Sequence, residues 1–184
     1  MSRPTATPHS RVRRVARWIG GAALVAVWLV AGGQPGQAQT ALDAAPILTV
    51  VGAAESGDSV AATFDRADLD ALPVHTIETT TPWTDGVVRF EGPLARDVLS
   101  EAGVAVSTAG ETLATAINDY QVAIPVSDFY DYDVILALRQ DGRALSRRDK
   151  GPIWIVYPRH RHPELDSVEY HSRWVWQLTT LELE

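Results

Sequence analysis

The chain has 184 residues, no cysteine, and a formal charge of −7 from 16 basic and 23 acidic side chains. Without a thiol it can form no disulfide, cysteine-ligated zinc site, iron–sulfur cluster or thiolate nucleophile. The acidic balance opposes nucleic-acid phosphates and anionic lipid headgroups, so neither is an expected partner.

The basic residues are unevenly placed. Residues 1–38 hold Arg3, Arg11, Arg13, Arg14 and Arg17, no acidic side chain, and an apolar run over residues 18–33. The run is short and glycine-rich for a membrane span, and Gln34, Pro35 and Gly36 break it before the small residues Gly36 and Ala38. This pattern predicts a signal peptide over 1–38, a flexible leader over 39–45 and one domain over 46–184, exported to the periplasm with no membrane contact after cleavage. An uncleaved anchor is the alternative. Arg13-Arg14 would suit a twin-arginine signal, but Val12 and Ala16 are poor flanks, so the Sec route is favoured. Cleavage would remove five basic residues and no acidic one, nearly doubling the negative excess. What remains can fill one core but not two.

Beyond the leader, residues 46–53 form an apolar, β-branched stretch that predicts a strand, and residues 60–64 predict a second. Asp65 is placed to cap a short helix reaching Leu72-Pro73, with Asp68 in its first turn. Residues 74–80 read as a strand, Thr84-Asp85-Gly86 as a turn, and residues 87–91 as the next strand. Pro93 suits the first turn of a helix that would bury Leu94, Val98 and Leu99 and end at Gly103. Strands are then expected over 112–117 and 121–126, around Asn118-Asp119-Tyr120, and over 133–139 before the Asp141-Gly142 turn. Residues 152–158 are apolar throughout, as in a strand buried on both faces. A long polar loop is expected over 159–172. Trp174, Trp176, Leu178 and Thr180 alternate along a final strand, with Leu181 and Leu183 out of phase as at a bulge. The order predicts an α+β fold: a strand-dominated mixed sheet with a few short helices.

Several segments also fall in a familiar order. They are Phe64-Asp65 with Leu69 and Leu72-Pro73, then Thr79-Thr80-Thr81-Pro82-Trp83, Phe90-Glu91-Gly92-Pro93-Leu94 and Asn118-Asp119-Tyr120 before Ile124-Pro125. Asp141-Gly142-Arg143, Lys150-Gly151-Pro152, Tyr157-Pro158 and Arg173-Trp174-Val175-Trp176-Gln177-Leu178 follow. In this the chain resembles the molybdopterin-binding domain of sulfite oxidases and of the periplasmic methionine sulfoxide reductase catalytic subunit. The resemblance implies that fold. It also implies a cysteine at the end of the strand after the leucine-proline pair, whose thiolate binds molybdenum in catalytic members. Here Thr79, Thr80 and Thr81 stand in that place, and a hydroxyl is a hard, weakly acidic group that cannot replace a soft thiolate.

No cofactor is therefore expected, with molybdopterin bound through the pterin alone as the alternative. Two readings of function stay open: a non-redox binding or sensory accessory domain that recognises a small anionic ligand or a periplasmic protein, and a cysteine-free molybdenum-cofactor oxidoreductase. Candidate ligand-binding residues are Thr79, Thr80, Thr81, Trp83, Asp119, Tyr120, Arg148 and Lys150, the last two with Arg147 forming a cationic cluster able to hold a phosphate or carboxylate. Thr and Trp also suit a half-buried strand, and the cations a solvated turn. His160, His162 and His171 are a weaker metal-binding alternative, and no Gly-x-Ser-x-Gly motif supports a hydrolase. If the export reading holds, mass spectrometry of the periplasmic protein will find an N-terminus near Gln39; a full-length, membrane-bound product would refute it.

Overall fold

The computed structural model describes residues 45–184; the expected signal peptide and nearly all of the leader lie outside them. The first two strands, β1 (Leu48–Ala53) and β2 (Ser59–Phe64), pair antiparallel with Leu48 opposite Phe64. Asp65 then caps α1 (Arg66–Asp70). Its carboxylate accepts from the Asp68 N–H, and the Asp68 carboxylate accepts from the Asp65 N–H, each at 2.9 Å. This reciprocal box satisfies two N–H groups that a one-turn helix would otherwise leave without partners.

Strands β3 (His75–Thr79) and β4 (Val88–Gly92) pair antiparallel across a wide turn. Gly92 is demanded by packing, because a Cβ there would overlap the Leu136 carbonyl. Helix α2 (Ala95–Ala102) buries Ala95, Val98, Leu99 and Ala102 and ends at Gly103, whose φ of 72° is left-handed. Pro93 does not sit inside its first turn as expected. Leu94 is the N-cap, and Pro93 precedes it.

Strands β5 (Glu111–Ala116) and β6 (Gln121–Pro125) form a hairpin whose turn holds Asp119 at a φ of 63°. A one-turn helix α3 (Asp128–Asp131) follows, unforeseen because Ser127 makes no side-chain cap and four residues show no period. The strand expected over 133–139 is divided into β7 (Ile135–Ala137) and β8 (Arg139–Gln140). The reason is a change of partner: β7 pairs with β10 (Trp154–Val156), whereas β8 pairs with β4 and with β9 (Arg143–Ala144).

The long loop is more ordered than its polarity suggested. It contains a 3₁₀ turn (Pro163–Leu165) and α4 (Val168–Ser172), whose N-cap Ser167 accepts a long 3.5 Å bond from the Tyr170 N–H. The final strand β11 (Leu178–Leu183) starts later than the tryptophan alternation predicted, because Gln177 has a φ of 53° and turns the chain. A register shift between Leu178 and Thr180 supplies the expected irregularity.

The main sheet runs β2-β1-β11-β5-β6, with β1 and β11 parallel and the other pairs antiparallel. A four-stranded sheet, β3-β4-β8-β9, and the β7–β10 pair complete an α+β architecture dominated by strands. Among the described residues no helix is long and apolar enough to cross a membrane. Trp154, Trp174, Tyr157, Phe90 and Phe129 are the largest side chains in the core, and β10 is buried on both faces as its composition implied. Trp154 packs edge-to-face on Phe90 at 5.1 Å and on Trp174 at 6.2 Å. Trp154→Ala should therefore cost about 3–5 kcal/mol in urea denaturation, and a loss under about 1 kcal/mol would contradict this packing.

Candidate functional site

A groove of about 420 Å³ opens where four parts of the chain meet. The turn after β3 supplies Trp83, and the β5–β6 hairpin supplies Ala116, Asn118 and Tyr120. Helix α4 supplies His171 and Ser172, and the segment before β11 supplies Trp174 and Trp176. Among the described residues, no lysine, arginine, aspartate or glutamate lines the groove.

Local bonds place each wall. The Thr81 hydroxyl accepts from the Trp83 N–H at 3.0 Å and contacts the Thr84 hydroxyl at 2.9 Å, closing a tight turn that lifts the indole away from β3. Trp83 stands perpendicular to Trp176 with centroids 5.0 Å apart and is tilted against Trp174 at 6.2 Å. Opposite, the Tyr120 hydroxyl donates to the Ser172 carbonyl at 3.0 Å, joining the hairpin to α4. The buried indole N–H groups of Trp154 and Trp174 have no hydrogen-bond acceptor among the described residues.

Behind the groove lies a buried charged contact. One oxygen of Asp128 accepts from the Tyr157 hydroxyl at 2.9 Å and from Arg173 at 2.7 Å. Arg173 also pairs with Glu169 and lies 4.6 Å from the Tyr170 ring centroid. Burial, followed by the Asp128 charge, pushes the Tyr157 phenol well above its ordinary pKa, so it stays a donor. Burial is the largest influence and works against the Arg173 charge, but Asp128, Tyr157 and Glu169 together outweigh it and raise that pKa. The hydrogen bond with Tyr170, then burial, lifts Tyr132 to about 12.

The candidate residues named from the sequence divide. Trp83 and Tyr120 line the groove; Asp119 is exposed on the turn beside them. Thr79 is fully buried, its hydroxyl donating to the Thr80 carbonyl at 3.2 Å and accepting from the His160 N–H at 3.1 Å. Thr80 is half-buried, and the Thr81 hydroxyl is occupied by its turn. Arg147 and Arg148 are exposed and line no part of the groove. Lys150 lies 5.3 Å from the Trp154 ring centroid and 3.5 Å from Asp149, so stacking and an ion pair engage it. The Gln177 amide donates to the Arg147 and Asp149 carbonyls at 2.7 and 3.3 Å, which gives this loop a structural anchor.

The histidines also go separate ways. His162 meets Glu164 at 3.3 Å and His171 meets Asp166 at 3.1 Å, while His160 bonds Thr79 through its backbone. A hydrogen bond from Arg159, against slight desolvation, holds the Asp166 carboxyl below its ordinary range. No group of three potential ligands gathers among the described residues. Sequence reasoning missed His171 and Ser172 as groove walls and Asp128 and Arg173 as their support. Arg173-Trp174-Val175-Trp176 was the available signal, since an arginine beside apolar aromatics has to find a buried anion.

The strand-dominated α+β architecture is that of a molybdopterin-binding, oxidoreductase-like domain. Residues 57–163 match the model of the oxidoreductase molybdopterin binding domain, and the chain belongs to that family. The fold is similar to the crystal structure of the sulfane dehydrogenase SoxCD from Paracoccus pantotrophus, with a TM-score of 0.55 and 22% identity over 74% of this chain. The match spans 37% of that longer chain. No curated protein matches the sequence.

The residues present do not fit the metal-bearing cofactor that the family name implies. Of Thr79, Thr80 and Thr81, which stand where the resemblance places a thiolate, none is a soft ligand; Thr79 has no exposed atom and both hydrogen-bonding roles of its hydroxyl filled, and the Thr81 hydroxyl is taken up by its turn. Among the described residues the groove presents no lysine or arginine to a phosphate. If the hydroxyl is structural, Thr79→Val should cost about 1–3 kcal/mol by leaving the His160 N–H without a partner, as read by chemical denaturation. A change below about 0.5 kcal/mol would show that the bond is dispensable.

Proposed function

We propose that this chain is an exported, non-redox binding domain built on the molybdopterin-binding scaffold, with the groove beside Trp83 as its ligand site. The observation that carries this reading is the state of Thr79: buried, neutral and tied at both ends, it offers a metal neither a soft ligand nor an approach. The sequence left a small anion and a protein partner open as ligands. Of the cations named from the sequence, Lys150 is engaged by Trp154 and Asp149, and Arg147 and Arg148 stand exposed on a loop that lines no part of the groove, which carries no lysine or arginine among the described residues. The groove instead combines concavity, apolar walls and a few polar groups, the usual composition of a small-molecule site.

The test is metal content. Protein purified from a host that makes molybdenum cofactor should contain no stoichiometric molybdenum and show no sulfite-oxidising or sulfoxide-reducing turnover. One molybdenum per chain would overturn the proposal in favour of an oxidoreductase that holds its cofactor through the pterin alone.

A further inference from the structure

The positive charge of the chain is concentrated away from the groove. Beyond residue 38 the sequence holds eleven basic and twenty-three acidic side chains. Residues 139–150, from β8 through β9 into the loop before β10, contain five of the basic ones, Arg139, Arg143, Arg147, Arg148 and Lys150, and only two acidic ones, Asp141 and Asp149. Five against two leaves this segment at +3, while six against twenty-one leaves the remainder at −15. The two carboxylates already have partners: Asp141 accepts from the Arg89 N–H at 3.2 Å, and Asp149 lies 3.5 Å from Lys150. Arg139 is paired with Asp70, and Lys150 also stacks on Trp154. Arg143, Arg147 and Arg148 are exposed and make no ion pair among the described residues.

The backbone that carries these three arginines is pinned at several points. The Leu145 N–H donates to the Leu138 carbonyl at 2.9 Å, and the Asp149 and Gly151 N–H groups both donate to the Ser146 carbonyl, at 3.1 and 2.9 Å. The Gln177 amide holds the Arg147 and Asp149 carbonyls from the other side, and a Cβ at Gly151 would overlap the Leu145 carbonyl. A cleft of about 520 Å³ opens in the same segment, with Gln140, Arg143, Ser146 and Asp149 among its walls, and it shares no lining residue with the groove. A loop already ordered in this way loses less entropy on binding than a free one.

We propose that the loop between β9 and β10 docks an acidic segment of a partner protein, whose carboxylates are held by Arg143, Arg147 and Arg148. This surface is distinct from the ligand groove and does not depend on it. Each guanidinium presents paired N–H donors that match the two oxygens of a carboxylate. Screening confines the interaction to about 8–10 Å, so a partner in contact with the loop meets its positive charge and not the acidic body behind it. A nucleic acid fits less well. Its charges continue at about 1.7 Å intervals along a duplex, past the short basic segment and onto a surface that repels them.

Calorimetric titration of the full mature chain with a hexaglutamate peptide tests the surface directly. The peptide should bind at low ionic strength and weaken at least tenfold as salt is raised to physiological levels. The double substitution Arg147→Gln with Arg148→Gln should weaken it at least tenfold at low salt, with circular dichroism showing that the fold is retained. Arg161 is also exposed and without an ion pair among the described residues, but lies outside the segment. Arg161→Gln should therefore change the affinity by less than about twofold. An equal loss in Arg161→Gln would reduce the effect to mean charge and overturn the proposal, as would no binding at millimolar peptide. Tighter binding of a DNA oligomer than of the peptide would reassign the patch to nucleic acid. Salt-sensitive dimerisation that is lost in the double variant would reassign it to a second copy of the chain, and either result overturns the acidic-partner proposal.

Discussion

The buried contact between Asp128 and Arg173 governs where the groove wall can stand. A guanidinium and a carboxylate taken out of water lose hydration that is recovered only if their bonds are well aligned. Asp128 meets that condition by accepting from both Arg173 and Tyr157 with one oxygen. Arg173 is the C-cap residue of α4 and immediately precedes Trp174, so the same contact positions the helix and the tryptophan segment. The bridge between Trp154 and Trp176 then sets the second indole beside β10. Groove geometry thus depends on a polar pair that touches none of its space.

A second constraint operates at the end of β3. A thiolate there would be a charged group requiring a metal or a cation beside it. A threonine is neutral and can be absorbed into the backbone network. The His160 N–H occupies its hydroxyl, and the loop after β10 closes over it. The start of the 159–172 segment is thereby held against the end of β3. The aromatic groove remains open because its walls rest on different contacts.

Much of the architecture was legible in local pattern. The Asp65 capping box, the left-handed Gly103 and the doubly buried β10 each follow from a few residues whose side chains leave the backbone little choice. The divided strand at 135–140, the uncapped α3 and the late start of β11 were not legible. Each depends on which distant segment supplies the partner: β10 or β4 for the first, β6 and α2 packing for the second, and the 147–150 loop that holds Gln177 for the third.

The site divides along the same line. Absence of cysteine, the acidic balance and the Trp83 and Tyr120 candidates are properties of composition and motif order, and the sequence alone determined them. It could not determine that Thr79 is sealed, that Lys150 is spent on Trp154, or that His171 joins a wall with residues from the β5–β6 hairpin. Those outcomes depend on contacts between residues far apart in the chain, such as Thr79 with His160 and Tyr120 with Ser172. Periodicity reports which face of an element is buried; only the folded chain decides what that face meets.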